Sequence, residues 1–204
     1  MKKTILLIII IITLFLAGCM NGGGGGLGTI GNNEDYAESL ILAWNTFNSQ
    51  NYSKSLVDFN EVRRKSFREY DRDEARLGMG WSYLKMGDFE KALETFETVQ
   101  TGYPELAIGK ASIYILQPSK ENYTKAFLEI KGPGLDLWDS PLNLSTPINI
   151  SRIYCNALAG IILYYNGKDS EARFNFRKIE NSLDIGFDQR LERIYEAVIT
   201  ELGL

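Results

Sequence analysis

The chain has 204 residues, with 22 lysines and arginines, 26 aspartates and glutamates, and no histidine. The length suits one domain or a short stack of repeats, and the formal net charge of −4 gives the chain no charge-based attraction to nucleic acid. The absence of histidine removes the commonest general base and metal ligand.

We therefore expect a protein that is not an enzyme, with no catalytic residue, no metal and no cofactor. The sequence also lacks a serine elbow, a zinc-ligand spacing and a dinucleotide-binding fingerprint. An enzyme that uses only carboxylates or lysine is the alternative that stays open.

The first predicted element is a signal peptide over residues 1–18. Lys2 and Lys3 precede an apolar run that begins at Ile5 and ends at Leu16, and small residues follow it. A membrane-spanning anchor is the alternative, but the run is shorter than the roughly 20 apolar residues that a spanning helix needs.

Residues 16–19, Leu-Ala-Gly-Cys, resemble the lipobox of bacterial lipoproteins. In that family the signal is cut before the cysteine, and the cysteine then carries lipid. The resemblance implies an exported chain that is anchored to a membrane of the cell envelope through acyl chains, such as palmitate, on Cys19. Each buried CH₂ group contributes about 0.8 kcal/mol of membrane affinity, so several acyl chains give stable anchoring. Whether the membrane is the inner or the outer one is left open.

Residues 19–33 are the predicted tether between this cysteine and the folded domain. After Cys19 the segment reads MNGGGGGLGTIGNN, a composition that cannot bury a core and that behaves as a flexible coil. A phosphate-binding loop is not expected, because no strand precedes the glycines and no Gly-Lys-Ser/Thr follows them.

Residues 34–204 are the predicted folded domain, and their pattern is all-α. Apolar residues recur at spacings of three and four, as at Leu40, Trp44 and Phe47. Short polar turns near residues 50, 87, 120 and 167 separate the predicted helices. Small residues recur after these turns at spacings of 37, 34 and 46 residues, which indicates a stack of helical repeats. These residues are Ser55, Ala92, Ala126 and Ala172.

The second of these units resembles the tetratricopeptide repeat (TPR), whose pattern is Trp, Leu, Gly, Tyr, Ala, Phe and Pro. Without gaps, the chain places Arg76, Met79, Gly80, Tyr83, Ala92, Phe96 and Pro104 at those positions. We expect Gly80 and Ala92 to face one another where the two helices of a hairpin approach closely. Gly87 should end the first helix, Asp88 should cap the second, and Pro104 should open the next.

The other units match the TPR pattern in part. The fourth keeps Gly160, Ala172 and Phe176, and the first keeps Leu42 and Phe59. In the third unit Pro118 should end the first helix early, and the register of that unit stays open. The resemblance implies a TPR-like α-solenoid of about four helical hairpins, with a C-terminal capping helix at 187–202.

Proteins of the TPR family bind peptides or protein surfaces on a concave side that is lined by the first helix of each hairpin. The resemblance places five residues of this chain on such a groove: Trp44, Trp81, Lys85, Ile161 and Tyr165. The alternative for each tryptophan is packing in the core. We expect an adaptor or scaffold that binds a protein or peptide partner and no nucleic acid; the oligomeric state is left open.

Residues 131–149, KGPGLDLWDSPLNLSTPIN, are an insertion that lengthens the third period. Its apolar composition is unlike that of a solvated linker. Either the insertion packs back on the stack, or Trp138 and its neighbours form a second docking patch.

Two narrower functions are alternatives. Residues 96–107, FETVQTGYPELA, resemble the TPR lipoproteins of the β-barrel assembly machinery, which help to insert outer-membrane proteins. A carrier of lipids or small molecules is the other alternative, and it would require a deep apolar pocket beneath the insertion.

Overall fold

The computed structural model describes residues 36–131, 144–183 and 190–202. Cys19, the signal peptide, the tether and Trp138 lie outside the described residues, as does most of the 131–149 insertion. In the described ranges all regular structure is helical, which confirms the all-α prediction.

Nine helices lie in the described ranges. In chain order they are α1 (Tyr36–Asn48), α2 (Tyr52–Lys65), α3 (Glu69–Lys85), α4 (Phe89–Glu97), α5 (Pro104–Leu116), α6 (Lys120–Lys131), α7 (Arg152–Tyr165), α8 (Asp169–Leu183) and α9 (Arg190–Leu202).

The first eight helices pack as four consecutive hairpins. Each odd-numbered helix from α1 to α7 packs against the even-numbered helix that follows it, and it also contacts the next odd-numbered helix. We call the odd-numbered helices the A layer and the even-numbered helices the B layer. The last helix, α9, packs on α7 and so covers the end of the A layer, as expected of a capping helix.

The turns inside the hairpins have the local geometry that the sequence predicts. Gly87 has a φ of 78° and Gly167 a φ of 70°, a backbone region that suits a residue without Cβ. The Asp88 side chain accepts a hydrogen bond from the Lys91 N–H at the start of α4. Pro104 is in the first turn of α5, where its missing N–H removes no helical bond.

The core of the second hairpin is built around the ring of Phe96. A Cβ added to Gly80 would lie 2.4 Å from Phe96 Cδ1, and one added to Gly109 would lie 2.7 Å from Phe96 Cζ. The atoms nearest to Gly80 belong to Phe96, and the expectation that Gly80 faces Ala92 stays a prediction. The ring therefore lies between α3 and α5, and it needs a glycine on each side.

The same contact between a phenylalanine ring and a glycine occurs at two other places in the stack. Phe59 of α2 packs against Gly78 of α3, and Phe176 of α8 packs against Gly160 of α7. In each case a Cβ on the glycine would overlap the ring. The close approach of the A and B layers thus depends on a buried phenylalanine in each of α2, α4 and α8 and on the A-layer glycine that faces it.

Asp73, in α3, holds the connection that follows α4. Its carboxylate accepts hydrogen bonds from the Gln100 N–H at 3.2 Å and from the Thr101 N–H at 2.9 Å and Oγ1 at 2.8 Å. It also pairs with the Arg76 guanidinium at 2.7 Å. Asp73 is buried, and its charge is offset by these donors and by Arg76.

Candidate functional site

Three of the five groove residues predicted from the sequence are part of the core. Trp44 is 0% exposed, and Trp81 and Ile161 are each 1% exposed. The prediction that their side chains line an open groove is wrong, because neighbouring residues cover them. Lys85 and Tyr165 are the two of the five that reach the surface in the described structure.

Aromatic packing explains the burial of the two tryptophans. The Trp44 ring meets Phe59 edge-on, with centroids 4.8 Å apart, and Trp81 meets Phe96 edge-on at 6.2 Å. The Trp44 Nε1–H donates a hydrogen bond to Glu74 Oε1 at 2.8 Å. Each tryptophan therefore stabilises the contact between the A and B layers.

The surface residues among the five lie in one structural row. Lys85 is the last residue of α3 and Tyr165 is the last residue of α7. Asn48, which the sequence analysis did not single out, is the last residue of α1. It precedes Lys85 by 37 residues, which is also the spacing between Trp44 and Trp81, so Asn48 and Lys85 are at equivalent positions of two hairpins. We call Asn48, Lys85 and Tyr165 the A-end row, because each closes a helix of the A layer.

At Tyr165 the A-end row carries an aromatic cluster. The Tyr165 ring stacks on Tyr123 with centroids 3.9 Å apart and an interplanar angle of 4°, and Tyr164 meets Tyr165 edge-on. The Asn166 side-chain N–H donates to the Tyr123 carbonyl at 2.9 Å and fixes α6 against α7. Tyr165 is 49% exposed, so one side of this cluster is open to a partner.

The pKa of the Tyr123 phenol is raised well above its ordinary value of 10 by burial and by the neighbouring Tyr165. Tyr123 therefore stays neutral at physiological pH and can donate a hydrogen bond as well as accept one.

Two buried carboxyl groups lie near the N-terminal ends of α3 and α5. Burial raises the pKa of Glu74 above 4.5, its hydrogen bond to Trp44 opposes that effect, and Asp71 and Glu105 add to it. Glu105 is fully buried. Its Oε1 accepts hydrogen bonds from the Thr146 N–H at 2.7 Å and from Thr146 Oγ1 at 3.1 Å. Its Oε2 has no hydrogen-bond partner among the described residues.

Residues 144–150, the end of the insertion, lie against the A layer, and we call them the strap. Thr146 binds Glu105 of α5, and two hydrogen bonds join the strap to Asn48 of α1. These bonds join the first and third hairpins through residues about a hundred positions apart in the chain. They agree with the expectation that the insertion packs back on the stack, and the contact of its remaining residues, Trp138 included, stays untested.

No group of three or more histidines, cysteines, aspartates or glutamates among the described residues could hold a metal ion. Cys155 is buried in α7, as expected of a small apolar side chain. None of the described helices combines the length and the apolar character needed to cross a bilayer.

Comparison with models of known protein families identifies part of the chain. Residues 74–105 fit the family model described as "Tetratricopeptide repeat". The matched range holds Gly80, Ala92, Phe96 and Pro104, the residues that form the second hairpin and its junction with the third. No curated protein and no solved structure matches the chain significantly.

Proposed function

We propose that this tetratricopeptide-repeat protein is a lipid-anchored adaptor that holds a protein partner next to a membrane of the bacterial cell envelope. The observation that carries the proposal is the TPR match at 74–105 within a continuous stack of hairpins. TPR repeats commonly bind protein partners, and the proposal includes no catalytic step and no nucleic acid.

The partner-binding part of the proposal is centred on the A-end row. Stacked tyrosines present a large, rigid and half-exposed surface at Tyr165, and aromatic anchors of this kind supply much of the energy of protein interfaces. Lys85 adds a cationic side chain at the end of α3. Trp44, Trp81 and Ile161 lie in the same three A-layer helices as the A-end row, and their side chains are buried in the core.

The membrane part of the proposal is based on Cys19 and the lipobox resemblance. The only other cysteine, Cys155, is buried in α7 and packs in the core. Acylation of Cys19 would place the folded domain within reach of the bilayer surface through the glycine-rich residues 20–33.

Cell fractionation tests the membrane part with a matched pair of cysteine variants. Cys19→Ala should leave the membrane fraction, whereas Cys155→Ala should stay in it with the parent protein. A Cys19→Ala protein that loses its signal and still sediments with membranes would contradict the lipid anchor.

The identity of the partner decides the narrower function. The resemblance of residues 96–107 to TPR lipoproteins of the β-barrel assembly machinery supports a role in outer-membrane protein assembly, and it covers about one repeat. Cross-linking in intact cells, followed by capture and mass spectrometry, would recover components of that machinery if this role is correct. Recovery of a different envelope protein would support the adaptor and contradict the assembly role.

A further inference from the structure

The strap, residues 144–150, buries every second side chain. Thr146 and Ile148 are buried, whereas Ser145, Pro147 and Asn149 are exposed. Its backbone bends at residues 145–147, and the Ile150 N–H donates to the Ile148 carbonyl at 3.2 Å, so the strap follows a bent path along its support. The support here is the A layer.

Side chains of the A layer bind the main chain of the strap. The Asn48 side-chain N–H donates to the Pro147 carbonyl at 2.9 Å, and the Asn149 N–H donates to Asn48 Oδ1 at 3.4 Å. One amide group therefore bonds to the main chain on both sides of Ile148. Main-chain bonds of this kind give affinity that does not depend on the side chains, and pockets for alternate side chains give specificity.

Glu105 binds the other end of the strap and leaves one acceptor unused. Its Oε1 takes the N–H and the hydroxyl of Thr146, while its buried Oε2 has no hydrogen-bond partner among the described residues. A buried carboxylate oxygen without a donor is costly. A bound segment with a second donor at this place would satisfy Glu105 better than Thr146 does.

We propose that the strap occupies a peptide-binding site on the A layer, and that a partner protein binds there by inserting a segment that follows the backbone path of the strap in its place. The segment has a residue with a side-chain hydrogen-bond donor and, two positions later, an aliphatic residue. The backbone carbonyl before this aliphatic residue and the backbone N–H after it are free to bond to Asn48. This inference rests on the proposed adaptor function, because it names the site and the chemistry of the partner segment.

Competition between the strap and the partner sets the affinity of the site. If the site is open for only a fraction of the time, the apparent dissociation constant is the intrinsic one divided by that fraction. A strap that binds less well opens the site more often, so it raises the affinity for a free peptide.

The test uses a fluorescent peptide with the strap sequence Leu-Ser-Thr-Pro-Ile-Asn-Ile and measures its anisotropy on binding to the full chain. Thr146→Ala combined with Ile148→Ala weakens the strap, and this protein should bind the peptide at least about tenfold more tightly than the parent does. Adding Asn48→Ala to it should reverse most of that gain. A control peptide with Ala for Thr and Asp for the first Ile should not bind.

A milder variant keeps the test decisive if the double variant does not fold. Thr146→Ala alone removes one hydrogen bond and leaves Ile148 buried, so it should fold as judged by circular dichroism and should bind the peptide about threefold more tightly than the parent. Equal affinity of the parent and of a folded strap variant would overturn the proposal, as would a folded strap variant that does not bind the peptide.

The outcomes also separate this inference from the proposed function. A partner that is captured equally by the parent and by a folded strap variant would support the adaptor and contradict the strap site. Tight peptide binding by the strap variant, together with no partner captured from the envelope, would support the site and contradict the adaptor.

Discussion

Replacing Gly80 with alanine should destabilise the protein, although alanine is the better helix former. A Cβ at this position would lie 2.4 Å from Phe96 Cδ1 and Cε1. The ring has little room to move away, because Gly109 on its other side leaves space for a hydrogen and no more. Overpacking of a core costs about 1–3 kcal/mol, and the gain in helix propensity returns about 1 kcal/mol.

A separation of 2.4 Å places the overpacking cost in the upper part of that range, at about 2–3 kcal/mol, so we expect Gly80→Ala to lower the free energy of unfolding by about 1–2 kcal/mol. For a protein of this size that corresponds to a fall in melting temperature of about 2–8 °C. Urea unfolding followed by circular dichroism measures the free energy directly. Gly102→Ala is the control, because Gly102 has open space around it and its replacement should change the free energy by less than about 0.5 kcal/mol.

A double variant shows whether the Phe96 ring is the cause. In Gly80→Ala combined with Phe96→Leu, the smaller side chain makes room for the new methyl group, so the double variant should lose less stability than the sum of the two single ones. Effects that add within about 0.5 kcal/mol would refute the reasoning, since contacting residues should couple. An unchanged or raised stability of Gly80→Ala alone would refute it as well.

Three further changes follow from the same packing and from the buried acids. Ala92→Leu should lower the free energy of unfolding by roughly 1–3 kcal/mol, because Ala92 is fully buried and a larger side chain would overpack the core. An unchanged melting temperature would contradict the repeat register. Asp73→Asn should cost roughly 2–3 kcal/mol by weakening the bonds to Thr101 and Arg76, and a thermal melt with no shift would show that these bonds contribute little. Burial raises the pKa of Glu74 above 4.5, so the folded state keeps this proton to higher pH than the unfolded chain, and stability falls as the pH rises through the range just above 4.5. Glu74→Gln should remove this fall in stability. Between about pH 4 and about pH 7 its melting temperature should therefore decrease less than that of the parent. An equal decrease in both proteins would contradict the role of Glu74.

The local features of the fold could be predicted from the sequence because neighbouring residues decide them. Gly87 and Asp88 adopt their turn and cap geometry within one hairpin, and Pro104 opens α5 at the expected place. α5 ends at Leu116, two residues before Pro118, as the steric effect of proline on the preceding turn requires.

The burial of the candidate groove residues could not be predicted in the same way. The helical spacing places Trp44 and Trp81 at equivalent positions of two hairpins, and it does not say what packs against them. Their burial depends on Phe59 and Phe96 from the B layer. A glycine in the facing helix accompanies each of these rings, Gly78 for Phe59 and Gly80 for Phe96.

The contacts of the strap could not be predicted from the sequence for a different reason. Asn48 and Asn149 are about a hundred residues apart in the chain, and no periodicity joins them. The row that Asn48 forms with Lys85 and Tyr165 was a usable signal, since all three are at equivalent positions of the repeat. The uncharged polar side chain of Asn48 adds nothing to the apolar or charge pattern of a helix, so that pattern alone does not mark it.

The central claim is that the A-end row holds a protein partner at the membrane, and cross-linked capture from native membranes tests it most directly. The parent is compared with a Lys85→Ala, Tyr165→Ala double variant and with a Lys54→Ala, Phe174→Ala control, which removes the same kinds of side chain from exposed positions of the B layer. The account predicts one partner that the parent and the control recover and that the folded Lys85→Ala, Tyr165→Ala variant loses. Equal recovery by all three proteins would contradict it.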